Sequence, residues 1–328
     1  MISQAEAFFP KFKSGVYQGL IKGWKGFVWL LKILIPISFA TALLVHFGII
    51  YKLDFLLTPV MTWLSLPASA ALVLIIGLFT GIYGTVAALS VMPFSIDQMT
   101  LMAIFTLIAH NIIQESIVQG NSGMNAVFAA FYRIITAFLV TFICARLMGV
   151  TPSAAETGAV SGLVREAKPF MQMFQSWGWG TLKLAAQIFC IIMPLMVTME
   201  LAKRFHIITF ITRITSPLLS VMGLSRSTGM LWLTATIFGL AYGAAVMVEE
   251  TKSNEYKKED LTRLHLSIGI NHSMVEDPAL FLPLGLPIFW LWIPRLVAAV
   301  MVTWLYSVYS SARRVHAERA VHKKLCDH

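Results

Sequence analysis

Long apolar runs separated by short polar breaks make up most of this chain. Phe27 to Ile50 is interrupted only by Lys32 and His46, and Ala68 to Met92 carries no charge. Met124 to Leu147 holds Arg133 inside and Arg146 at its end. Trp179 to Leu201, Met230 to Val248 and Pro287 to Tyr309 follow. Runs of this length match the hydrocarbon thickness of a bilayer when helical. The pattern predicts an all-α polytopic membrane protein. Two polar clusters interrupt it. "LIAHNIIQES" (Leu107 to Ser116) sets His110 and Glu115 among apolar residues, and "GINHSMVEDP" (Gly269 to Pro278) does the same with His272, Glu276 and Asp277.

The clusters belong to a longer correspondence. Shifted by 158 positions, Lys25 falls on Lys183, Pro36 on Pro194, Pro59 on Pro217 and Gly81 on Gly239. Shifted by 162, Asp97 falls on Glu259, Thr100 on Thr262, His110 on His272, Glu115 on Asp277 and Arg133 on Arg295. The longer loop around "EETKSNEYKKED" accounts for the change of offset. Such matching predicts an internal repeat, about 25–148 and 183–310. Each half offers about five membrane segments: 27–50, 53–66, 68–92, 97–115 and 124–148, then 183–202, 205–222, 228–248, 259–277 and 287–310. The second of each is short, carries a proline and reads as re-entrant or tilted. An odd number of crossings inverts the two halves in the membrane; if the short segments alone fail to cross, the halves are parallel. The expected organisation is a basic amphipathic interfacial segment (1–26), a first repeat (27–150), a connecting segment with an amphipathic helix (151–180), a second repeat (181–310) and a basic tail (311–328).

Composition narrows the function classes. Of 328 residues, 57% are hydrophobic and 12% charged, and the net charge of +9 sits mostly at the two ends. Basic ends beside membrane spans reflect the positive-inside rule rather than nucleic-acid binding, so both termini are expected in the cytoplasm, with the protein in the inner membrane. No cleavable leader is read in "FFPKFKSGVYQGLIKGWKG". Cys144, Cys190 and Cys326 have no metal or redox spacing. Neither HExxH nor GxSxG occurs, and the chain does not read as an enzyme.

Ionisable residues at membrane depth are costly and mark functional sites. The candidate binding residues are His110, Asn111, Gln114, Glu115, Asn271, His272, Ser273, Glu276 and Asp277. Imidazole with carboxylate suits a divalent metal such as iron, manganese or zinc, with His110, Glu115, His272, Glu276 and Asp277 as the ligand set. The same groups suit a nucleobase, a sugar or a proton relay, and single polar residues also tie helices together. Helix breaks are expected at Asp277 before Pro278 and in "SIVQGNSGMN" after Glu115. Arg133 and Arg295 balance the acids or snorkel to an interface. Gly77, Gly81, Gly84, Gly239 and Gly243 read as close-packing positions.

"SPLLSVMGL", "FGLAYGAAVMVEE" and "KKEDLTRLHLSIGINHSMVEDPALFLPLG" in the second half resemble the Gate, or nucleoside-recognition, domain of spore maturation proteins and of the membrane part of ferrous-iron transporter B proteins. The first half is similar more loosely, with "HNIIQES" in the matching place. The resemblance implies paired Gate domains that form a membrane pathway for nucleosides or a divalent metal. This chain shows neither the GTPase domain nor the cysteine-bearing gate motif of the iron transporters. The expected function is a transporter of a divalent metal cation. Proton- or sodium-coupled transport of a nucleoside or small polar metabolite is the alternative, and a non-transporting assembly partner the third. No cofactor is expected beyond a metal as substrate. The expected partners are the lipid bilayer, a small solute or ion and further copies of the chain.

Overall fold

The computed structural model describes residues 2–48, 54–150, 169–205, 207–225, 228–237, 239 and 256–326. Every regular element among them is helical. The first half holds α1 (Ile2–His46), α2 (Asp54–Trp63), α3 (Ala70–Thr80), α4 (Ile82–Leu89), α5 (Ile96–Ala109), α6 (Ile112–Asn121) and α7 (Ala126–Leu147). The second holds α8 (Phe170–Arg204), α9 (Ile207–Ile214), α10 (Ser216–Val221), α11 (Thr228–Ile237), α12 (Lys258–Asn271), α13 (Glu276–Ala279), a 3-10 turn (Leu282–Leu284) and α14 (Ile288–Cys326).

Five helical stretches among the described residues are long and apolar enough to cross a membrane: Phe9–His46, Ile96–Asn121, Ala126–Leu147, Phe170–Arg204 and Ile288–Ala312. Their packing is inside-out relative to a soluble protein. On α7, Phe128, Phe131, Ile135, Leu139 and Ile143 are exposed, while Ala129, Arg133, Thr136, Ala137 and Thr141 are buried. A bilayer removes the penalty for outward apolar side chains, so small and polar residues take the helix contacts.

α1 and α8 pack antiparallel along their lengths. Gly15 meets Leu201 and Arg204, Gly19 meets Val197, Phe27 stacks edge-on with Phe189 at 5.0 Å, Trp177 Nε1 donates to Ser38 Oγ at 3.1 Å, and His46 meets Phe170. A Cβ on Gly19 would stand 2.5 Å from the Val197 backbone, so glycine sets this close approach. The segment 1–26 expected as a separate interfacial helix is continuous with the first span in α1. The amphipathic part of the connection likewise runs into α8, and 151–168 lie outside the described residues.

The third segment differs from the expectation of one crossing. The chain folds back at Gly81, which has φ +83° and ends α3 while starting α4. A Cβ on Gly77 would meet Thr85, and one on Gly84 would meet Ile76, eight residues away in each case. A straight helix would separate such residues by about 12 Å, so α3 and α4 form a helical hairpin with its tip at Gly81. α3 runs parallel to α5, since Gly77 lies against Thr106 and Gly81 against Asn111. α11 runs parallel to α12 in the same way, with Trp232 Nε1 donating to Ser267 Oγ at 2.7 Å and Met274 N to Thr236 O at 2.7 Å. Gly239, at φ +75°, follows α11, and the rest of 228–248 lies outside the described residues. Gly81 and Gly239 are close-packing positions, against Asn111 and Ser273, and Gly81 is in addition a turn. The second segments are too short to cross: α2 rises about 15 Å, and 205–222 is split into α9 and α10.

Replacing Gly81 tests the hairpin tip. An alanine there is forced to positive φ with its Cβ 2.6 Å from the Asn111 amide. Gly81→Ala is expected to lose about 1–3 kcal/mol, read as a lower Tm in detergent. Gly26→Ala, whose Cβ meets nothing within 4 Å on α1, is expected to hold or raise the Tm slightly.

Candidate functional site

Two interrupted helices place the polar clusters. α5 starts with a capping box between Ser95 and Gln98 and runs to Ala109. His110 then turns extended (ψ 164°) and Asn111 is left-handed (φ +44°) before α6 begins. α12 runs to Asn271, His272 is extended (ψ 160°), and Ser273 has φ +49°. The breaks therefore fall at the histidines, earlier than the sequence suggested. Pro278 lies inside α13, where its missing N–H is not needed in a first turn. "SIVQGN" stays helical to Asn121. Each break is docked by its own backbone: Asn111 N donates to Gly77 O at 3.3 Å, and Ser273 N to Ala235 O at 3.0 Å.

A broken helix frees carbonyls that lipid cannot satisfy. Two arginines supply the donors. Arg133 Nε donates to Ile108 O at 2.9 Å and Nη2 to His110 O at 3.0 Å. Arg295 Nε donates to Ile270 O at 3.1 Å and Nη2 to His272 O at 2.7 Å. Both side chains are fully buried, which excludes snorkelling. They act as cationic caps on helix C-termini. Arg133 also ion-pairs with Glu115 Oε2 at 2.5 Å. Arg295 has no carboxylate within 4 Å among the described residues, so the expected Arg295–Asp277 balance is not a direct pair.

His110 and His272 meet where the two breaks face each other. Their Nε2 atoms are 3.4 Å apart and their ring centroids 4.9 Å. Each Nδ1 lies on a carbonyl one turn back, Thr106 O at 2.9 Å and Ile268 O at 2.8 Å. A carbonyl only accepts, so each Nδ1 carries a proton and each Nε2 is turned toward the site. Glu115 spans the pair, with Oε1 3.1 Å from His110 Nε2 and Oε2 3.2 Å from His272 Nε2. Asp277 Oδ2 lies 3.4 Å from His110 Nε2. His110, His272 and Asp277 offer ligand atoms all within 4.8 Å of one another.

These groups open on a cavity of about 140 Å³. Of the sequence candidates, His110, Asn111, Gln114, Glu115, His272, Ser273, Glu276 and Asp277 line it. Asn271 does not. It is buried toward α11, where its Oδ1 accepts from Ser267 Oγ at 3.3 Å. Glu276 lies beside Tyr83 and apart from the ligand group. Tyr83 and Trp29, whose rings pack edge-on at 5.1 Å, were missed by sequence reasoning. Tyr83 follows the Gly81 turn by two residues, and that turn was the signal available.

Removing an arginine cap leaves buried carbonyls and a buried carboxylate unpaired. Arg133→Met is expected to cost about 3–5 kcal/mol, measured as a shift of the denaturation midpoint. Adding Glu115→Gln should recover part of it, because the charge is removed while the carbonyls stay unsatisfied.

Over 289 residues, 87% of this chain, the sequence is 27% identical to an uncharacterized membrane protein, YvoD, of Bacillus subtilis (strain 168), of which the match covers 91%. No family model matches the chain, and no solved structure matches it. A relative that is itself a membrane protein, along most of both chains, agrees with the five apolar helices of spanning length: this is a multi-pass membrane protein.

Proposed function

We propose that the chain is a membrane transporter built from two inverted Gate-like repeats, and that its substrate is a divalent metal cation held between His110 and His272. The observation that carries the substrate is the spacing of the converging lone pairs. Two nitrogens about 2.0–2.1 Å from one ion at a tetrahedral angle stand roughly 3.3 Å apart. The Nε2 atoms are 3.4 Å apart, and the carboxylate oxygens of Glu115 and Asp277 lie 3.1–3.4 Å from them. The carbonyls behind Nδ1 hold both rings in the tautomer that a metal needs. His110, His272 and Asp277 act as ligands, Glu115 as a fourth ligand shared with Arg133, and Arg295 as a cap that holds the His272 break.

Matched positions support the repeat. Asn111 and Ser273 share the left-handed turn, Gly81 and Gly239 the positive φ, and Arg133 and Arg295 the same two carbonyl bonds. Ser65 and Gly223, also 158 apart, have φ +55° and +66°. The matched helices α1 and α8 run antiparallel, which favours inversion. Among the described residues three crossings per half fit: α1, α5–α6 and α7, then α8, α12–α13 and α14. The α3–α4 hairpin and the described short helices do not cross, which keeps the parity odd. The basic residues Lys203, Arg204, Lys257, Lys258 and Arg263 then share a face with both termini, the cytoplasmic face of an inner membrane by the positive-inside rule. Broken helices meeting around a midplane cavity are the usual construction of secondary transporters. The cavity is below the ~300–1,000 Å³ typical of small-molecule sites, which favours an ion over a nucleoside.

Purified protein titrated calorimetrically with Mn²⁺ or Zn²⁺ is expected to bind one ion per chain. His272→Ala and Asp277→Asn should each weaken binding at least about tenfold, and Glu276→Gln should not. Binding that survives both ligand changes rules this cluster out. Uptake of labelled nucleoside by proteoliposomes without added metal would favour the nucleoside reading instead.

A further inference from the structure

The two halves differ sharply beside the histidine pair. α6 and α12 pack antiparallel from the breaks outward: Glu115 meets His272, Gln119 Nε2 donates to His265 O at 3.2 Å, His265 Nε2 lies 2.9 Å from Ser122 O, and Gly123 faces Leu261. This seam is polar along its length, with Ser116, Gln119, Ser122 and His265 all buried. Three of its atoms, Ser116 Oγ, Gln119 Oε1 and His265 Nδ1, have no hydrogen-bond partner among the described residues. The positions that fall on these four at the offset of 162 are Pro278, Phe281, Leu284 and Ala103. Phe281 and Ala103 are fully buried, and none of the four offers a side-chain polar atom. The seam is therefore polar in one half, while the matching positions of the other half are apolar.

Unpartnered buried polar atoms cost free energy that bound water recovers. His265 is set up to act in such a water chain. Its Nε2 donates to the Ser122 carbonyl, so its Nδ1 keeps a lone pair within the seam. That atom can take a proton from one water and release it to the next without any change at Nε2.

We propose that the α6–α12 seam is a proton path joining the site to the basic face of the protein. The path stands on the buried polar seam and its unpartnered atoms, and not on the metal reading above.

The test uses the full chain in vesicles that contain a pH-sensitive dye, with a valinomycin-set potassium potential as the driving force. Wild-type protein is expected to move protons. Gln119→Met and His265→Leu are expected to slow that movement at least about tenfold while the Tm in detergent is kept, and Phe281→Leu should leave it unchanged. Gln119→Met, a swap of similar length, carries the test if His265→Leu does not fold. Absence of proton movement in wild-type vesicles, or undiminished movement in the folded variants, overturns the path. Proton movement that the variants abolish, in a protein that calorimetry shows to bind no Mn²⁺, keeps the path and overturns the metal reading.

Discussion

The carbonyl groups freed at two interrupted helices are the constraint on which the rest of this structure depends. A helix broken in a membrane leaves acceptors that neither lipid nor the helix can satisfy. Here each set is met by one guanidinium, from Arg133 on α7 and from Arg295 on α14. A rigid fork of donors can bridge two carbonyls at once, which an ammonium on a flexible stem does poorly. Burying two such cations demands nearby negative charge, and Glu115 answers directly at 2.5 Å. The carboxylate that neutralises Arg133 is the one that spans the two histidines, so helix continuity, charge balance and the site chemistry are one problem with one solution.

The breaks also set what the site can hold. Because the chain turns at Asn111 and Ser273, the histidines just before them project toward each other instead of along a helix face. The glycine turn at Gly81 sits against Asn111, and Gly239 sits against Ser273, where a Cβ would stand 3.3 Å from the serine side chain. The cavity is thus lined by residues at these chain interruptions, and its two histidines are each held by a backbone carbonyl one turn back. The polar seam beside it differs between the halves: Ser116, Gln119 and His265 hold spare hydrogen-bonding capacity that the corresponding positions of the other half lack.

The chain's periodicity and its offsets determined a good deal. Apolar run lengths alone identified a membrane protein, since bilayer thickness acts on length and composition. The pairing of His110 with His272 and of Arg133 with Arg295 was legible because the same groups recur at one spacing. What the sequence left undecided depends on groups far apart in the chain. Gly81 as a hairpin tip and Asn271 as a buried amide turned away from the cavity follow from which neighbours each meets, and no local pattern carries that. Pro278 misled for the same reason: its local preference was satisfied within the first turn of α13, while the break was drawn to His272 by Ala235 O and Arg295. Only the tertiary structure decided that Glu276 belongs to Tyr83 and Asp277 to the histidines. Adjacent residues beyond a helix break point to different sides, and a shift of one position moves a carboxylate from the side of His110 to the side of Tyr83.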